Sequence, residues 1–191
     1  AALYARWQPA VLPYPPEWHW PVSPRLLQDW QQLVVAATGQ PSLPDELTAE
    51  LAFHGIALDE GLTAASWLAL HDLLIVRGWR GNSAAFARSW KKVVHDRVPG
   101  LGRLAVRALP AAATLTKALT AAGRLLPGPA PVLLTQPHGF GLQFADLPLY
   151  RAPTFAVWAA AQAESAWALL QPTGRVTASR DGPLVLGLLT R

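Results

Sequence analysis

"VLLTQPHGFGLQFADLP", residues 132–148, decides the fold class of this chain. Its apolar residues no longer follow a helical period, and Pro137-His138-Gly139 supplies turn chemistry in the middle, so the segment reads as two short strands joined by a tight connection. The same reading holds for "VTASRDGPLVLGLL" (176–189), with Asp181-Gly182 as the turn. Between them lies "PTFAVWAAAQAESAWALL" (153–170), which reads as a helix. Pro153 sits in its first turn, Phe155, Trp158, Gln162 and Ala166 share a stripe, and Pro172-Thr173-Gly174 ends it. Strand, strand, helix, strand, strand predicts a sheet of about four strands with helices on one side.

Working outward toward the N-terminus, the texture is helical. Leu26, Leu27, Trp30, Leu33, Val34 and Ala37 form one stripe that stops at Thr38-Gly39. "SLPDELTAELAFHGIAL" (42–58) is a short second helix, with Ser42 as its expected cap, Asp45 and Glu46 favourable to the helix dipole, and His54-Gly55 as the stop. Thr63 is placed to cap a third helix through Trp67, Leu70, Leu74 and Ile75, ending near Gly78. Ser83 opens a fourth, with Phe86, Trp90, Val93 and Val94 on one face and Arg88, Lys91, Lys92 and His95 on a solvated one. Two further apolar helical pieces are divided at Pro110. The predicted class is α+β, N-terminal helices followed by a ββαββ unit that forms a small, mainly antiparallel sheet with helices packed on it.

The first 24 residues are different. Pro9, Pro13, Pro15, Pro16, Pro21 and Pro24 deny both helix and central strand, so residues 1–24 read as an extended arm and residues 25–191 as a single domain. Within the arm, "PEWHWP" (16–21) places Trp18 and Trp20 on one side of an extended chain and His19 on the other. Two exposed indoles are costly. Trp18 and Trp20 are therefore expected to anchor the arm on its own domain or on a partner.

With 51% apolar and 15% charged residues the chain is expected to fold throughout. Cysteine is absent, which excludes disulfides and thiolate metal sites and, with no signal peptide in view, points to the cytoplasm. The longest uncharged run, 125–145, is interrupted by prolines and glycines, so no membrane span is expected. Charge is unevenly laid out. Residues 1–76 carry two arginines against eight carboxylates, whereas residues 77–124 carry ten cations against Asp96 alone. This acidic front and basic middle either pair with each other or face different partners.

The segment order resembles an uncharacterised bacterial family, domain-of-unknown-function family 2378, over roughly residues 26–189. The resemblance rests on "LPDELTAELAFHGIAL" (43–58), "GLGRLAVRAL" (100–109) and the final "SRDGPLVLGLL" (179–189). More remotely, helices followed by ββαββ is similar to the superfamily of haem–nitric oxide sensors, vinyl-reductase-type ligand domains and vesicle-tethering subunits. That resemblance implies a ligand-binding fold and, by analogy, His95 as an axial haem ligand. The chain lacks the Tyr-x-Ser-x-Arg motif of the haem sensors, so no cofactor is expected.

Catalytic patterns are scarce. His71-Asp72, His95-Asp96 and Asp146 imitate the ligand order of HD-type metal phosphohydrolases, which bind ions on packed helices to generate a hydroxide nucleophile. The simpler reading is two histidines on helix surfaces beside unrelated aspartates. No phosphate loop or nucleophile elbow is present. Arg88, Lys91, Lys92, Arg103 and Arg107 are the candidate contacts for a partner or an anion, nucleic acid included. The sequence thus points to a non-enzymatic binding domain, a sensor or adaptor. Its expected partners are another protein, a second copy of the chain in a homodimer, or a small apolar ligand.

Overall fold

A computed structural model describes residues 3–5, 7, 9–10, 14–15, 18, 21–42, 44–56, 63–97, 106–122, 124, 128–179 and 181–190. Helix α1 (Pro24–Thr38) has Pro24 in its first turn and Ser23 as its N-cap, and ends on Gly39 in the left-handed region. Helix α2 (Asp45–Phe53) starts after Pro44 with no side-chain cap. The expected Ser42 cap is thus incorrect: the helix begins two residues too late for a Ser42 side chain to serve its first turn, and Asp45 and Glu46 meet the dipole there. Thr63 caps α3 (Ala64–Leu73) as expected, accepting from the Ser66 N–H.

Helix α3 runs on into a π-turn over Leu74–Gly78, where the Trp79 N–H reaches back five residues to the Leu74 carbonyl at 3.3 Å. The turn packs on α1, and the approach is close. A Cβ at Gly78 would stand 2.8 Å from that of Ala37. Helix α4 (Ser83–Arg97) follows, with the Asn82 side chain accepting from the Ala85 N–H, and α5 spans Ala111–Ala122.

Strands β1 (Val132–Gln136) and β2 (Gly139–Gln143) form the first hairpin. After them come the single turn α6 (Pro148–Arg151), the long helix α7 (Pro153–Leu170), and strands β3 (Arg175–Ser179) and β4 (Val185–Leu189). The sheet is antiparallel throughout in the order β1-β2-β4-β3. Register pairs Leu142 with Leu186 and Phe140 with Leu188, so these four share one face of the sheet. Phe140 meets Trp167 of α7 edge to face, which identifies that face as the inner one.

The expected α+β class is what the chain adopts, with one difference in layering. Helix α7 packs on β3 and β4 and also on α3 and α4, so it is the middle of three layers. That explains its burial. Every residue from Thr154 to Ala161 is buried, not only the stripe of Phe155, Trp158, Gln162 and Ala166. Its alanines let both neighbours approach, while Trp158 and Trp167 fill the spaces between.

Tyr4, Trp7 and Val22 of the arm belong to the same core, with Leu3, Tyr14 and Trp18 packed against it. Tyr4, Trp7 and Val22 are buried, the Ser83 hydroxyl donates to the Trp7 carbonyl at 3.1 Å, and the Ala65 N–H donates to the Trp18 carbonyl at 3.1 Å. Among the described residues, no helix is long and apolar enough to cross a membrane.

Candidate functional site

Two groupings of polar side chains stand out, one buried and one open. The buried one centres on His71 and Asp72 in α3, both fully inaccessible. The reading of this pair as surface residues is corrected by the layering: α3 packs against α7, which together with its neighbours leaves no wet face at these positions. His71 Nδ1 lies 2.8 Å from the Trp67 carbonyl, which can only accept, so Nδ1 carries the proton. Around the ring stand Trp67 at 4.5 Å, Phe86 at 5.9 Å and Trp90 at 6.4 Å. Burial in this aromatic shell lowers the His71 pKa to about 4, against a smaller opposing effect of the Trp67 carbonyl.

Asp72 turns the other way. It accepts from the Thr154 hydroxyl of α7 and, at 2.6 Å, from the Tyr14 hydroxyl of the arm. Burial, then the Asp72 charge, raises the Tyr14 pKa, which keeps the phenol protonated as the donor this contact needs. His71 and Asp72 are thus structural: one fills an aromatic box and the other ties arm, α3 and α7 together.

The remaining members of the phosphohydrolase pattern lie elsewhere. His95 and Asp96 are exposed on α4, with His95 Nδ1 3.7 Å from Asp96. Asp146, expected in a strand, lies in the loop after β2 and makes a bidentate pair with Arg151 at 2.7 Å. Among the described residues no group of three or more His, Cys, Asp or Glu side chains could hold a metal ion. An axial haem ligand needs an enclosed apolar pocket, and the exposed His95 stands in a cleft shared with lysines and an arginine.

That cleft is the open grouping. It has a volume of about 440 Å³ and lies between the C-terminal halves of α4 and α7. Lys91, Lys92, His95 and Arg107 are its basic lining; Val94, Ala168, Leu169 and Pro172 are its apolar one. Three of the five sequence-predicted contacts therefore meet at one site. Arg88 is exposed one turn earlier on α4, and Arg103 lies outside the described residues.

Each basic residue has its own surroundings. Lys91 is half-exposed and also paired, which the helical pattern did not show: its Nζ contacts Glu164 Oε2 of α7 at 2.5 Å, and the same oxygen accepts from the Tyr4 hydroxyl at 2.6 Å. Arg107 Nε donates to the Leu169 carbonyl at 3.0 Å, satisfying one of the open carbonyls at the end of α7. Lys92 is exposed on the rim. A second hollow of about 560 Å³ beside α1 and α2 has mixed charge, with Glu46, Glu50, Arg77 and Arg80 on its walls. There Arg77 already holds Glu50 at 2.8 Å, and this hydrogen bond lowers the Glu50 pKa.

Of the two expected arm anchors, Trp18 is half-buried and stacks on Tyr14 at 5.7 Å, and Trp20 lies outside the described residues, as does His19. Among the described residues of the arm, Tyr4 and Trp7 are buried anchors that the sequence pattern did not single out. The available signal was their spacing of three in "YARW" (4–7), which a single turn closes with the Trp7 N–H on the Tyr4 carbonyl at 3.1 Å. No protein-family model matches the chain, and no curated protein or solved structure shows significant similarity to it.

Proposed function

We propose that this protein is a non-enzymatic binding domain whose working surface is the cleft between α4 and α7, and that it recognises an anionic group there. One observation carries the reading: basic side chains from two separate segments, residues 91–95 and residue 107, converge on one cleft whose lining, among the described residues, contains no carboxylate. Convergent polar groups in a partly apolar cleft are the usual form of a small-ligand site. Sensor or adaptor is the role that fits a domain of this kind. Kinship with family 2378 stays part of the proposal, supported by the quoted segments alone. So does a homodimer, for which the position of β1 and β3 at the two edges of the sheet is the support.

Nucleic acid is less well served by the same cations. Arg77 and Lys91 already pair with carboxylates, Arg107 with a carbonyl, and among the described residues no aromatic side chain lines the cleft to stack a base. The test is a titration of the ¹⁵N-labelled protein with inorganic phosphate. Amide signals of residues 91–95, 107 and 168–171 should move first, and should cease to move in a Lys92→Gln/Arg107→Gln variant. Shifts scattered over the surface, or unaffected by the double change, would refute the reading. Native mass spectrometry of protein from its own host reads assembly state and any retained anion together.

A further inference from the structure

We infer that the α4/α7 cleft takes an amphiphilic anion, an organic phosphate or carboxylate with an apolar tail, with Lys92 and Arg107 holding the head. The inference rests on the proposed anion site and adds the chemical class of its ligand. Charge is the first argument. Lys91 is paired with Glu164, and His95 stands beside Asp96, so Lys92 and Arg107 are the lining cations without a carboxylate partner among the described residues. Among the described residues Arg107 commits only Nε, to Leu169, which leaves the two terminal nitrogens of its guanidinium for a second acceptor. The same bond sets a cation against the negative C-terminal end of α7, which offsets that end's repulsion of an anionic head.

The second argument is what the walls do not offer. Apart from the basic side chains, the lining is Val94, Ala168, Leu169 and Pro172 with Ser165. The Ser165 hydroxyl donates within α7 to the Ala161 carbonyl at 2.7 Å. A sugar or a nucleotide would therefore find few partners for its hydroxyls, and leaving such groups unpaired costs affinity. An alkyl chain loses nothing on these walls and removes their apolar surface from water. The volume of about 440 Å³ lies within the roughly 300–1,000 Å³ of small-molecule sites.

The experiment compares inorganic phosphate, octyl phosphate below its micelle-forming concentration, octanoate, and adenosine monophosphate, by calorimetry and by the same amide signals. Octyl phosphate should bind at least tenfold tighter than inorganic phosphate, Lys92→Gln should weaken it at least fivefold without changing the melting temperature, and Arg107→Gln should weaken it at least fivefold. Lys91→Gln should change it less than twofold. Whether octanoate equals or trails octyl phosphate tells carboxylate from phosphate recognition. Inorganic phosphate binding in the cleft as tightly as octyl phosphate would overturn the amphiphile and leave the anion site standing. Adenosine monophosphate binding tighter than octyl phosphate would overturn it in favour of a nucleotide. Failure of inorganic phosphate to perturb the cleft, with octyl phosphate insensitive to both variants, would overturn the anion site as well.

Discussion

His71 is a titratable group held where its charged form has no support. The ring is fully buried, its Nδ1–H is spent on the Trp67 carbonyl, and Nε2 has no hydrogen-bond partner among the described residues. Its folded pKa of about 4 lies below the unfolded value of 6.5, so the unfolded chain binds the proton more readily. Stability from this group is fully present above pH 6.5 and is lost as pH falls from there toward 4. At about 1.4 kcal/mol per pKa unit the loss is on the order of 3 kcal/mol. His71→Phe keeps an aromatic ring at this position and removes the titration. Thermal unfolding followed from pH 7 to pH 4.5 should show a markedly flatter slope for the variant, and equal slopes would show that His71 is not the group responsible. The phenols of Tyr4 and Tyr14 shift the opposite way, raised mainly by burial and then by Glu164 and Asp72 respectively, so both remain donors across this range.

At the scale of elements, the sheet depends on how closely β2 and β4 approach. Gly139 opens β2 with φ 144°, and a Cβ there would lie 1.9 Å from the Leu188 carbonyl oxygen. The site therefore refuses a side chain on two grounds, backbone conformation and direct overlap with the neighbouring strand. Gly182, in the connection between β3 and β4, has φ 117° but nothing within 4 Å of the same hypothetical atom. Gly139→Ala should cost more than about 2 kcal/mol, because strain and a displaced ladder add. Gly182→Ala should cost about 1 kcal/mol, from backbone strain alone. Denaturant midpoints of the two variants check the ordering, and equal losses would mean that the β2–β4 approach relaxes without penalty.

At the scale of the molecule, the arm and the charge layout are both drawn into the fold. The arm contributes Tyr4, Trp7 and Val22 to the common core, and its Tyr14 partners the buried Asp72 carboxylate. A chain lacking residues 1–22 keeps the Ser23 cap of α1 but exposes that core and leaves Asp72 with one partner fewer. Losing the Trp7 side chain alone is expected to cost about 3–5 kcal/mol, as for other large-to-small core changes. The truncated chain should therefore show no cooperative melting transition in near-ultraviolet circular dichroism. A transition at the full-length temperature would mean that the arm rests on the domain without supporting it. The acidic front meets the basic middle through Glu50 and Arg77, while Lys91 is matched by Glu164 from the last third of the chain, so part of the layout serves packing.

The elements themselves were legible in the residues. Thr63, Gly39, the turn Pro137-His138-Gly139 and the run 153–170 act within a few positions of themselves, because caps, turns and periodicity are local interactions. The basic residues of the cleft were legible as a charge cluster for the same reason. Their division of labour was not: Lys91 finds Glu164 at a separation of 73 positions, and Arg107 finds Leu169 at a separation of 62. Nor could periodicity tell that α3 and α7 are buried nearly all round, since a stripe shows which side of a helix is most apolar and not how many layers enclose it. The stacking of sheet, α7 and the N-terminal helices made that choice. It turned His71 and Asp72 from surface residues into core ones and opened the α4/α7 cleft, because burial is decided by which surfaces meet and no short stretch of chain contains both.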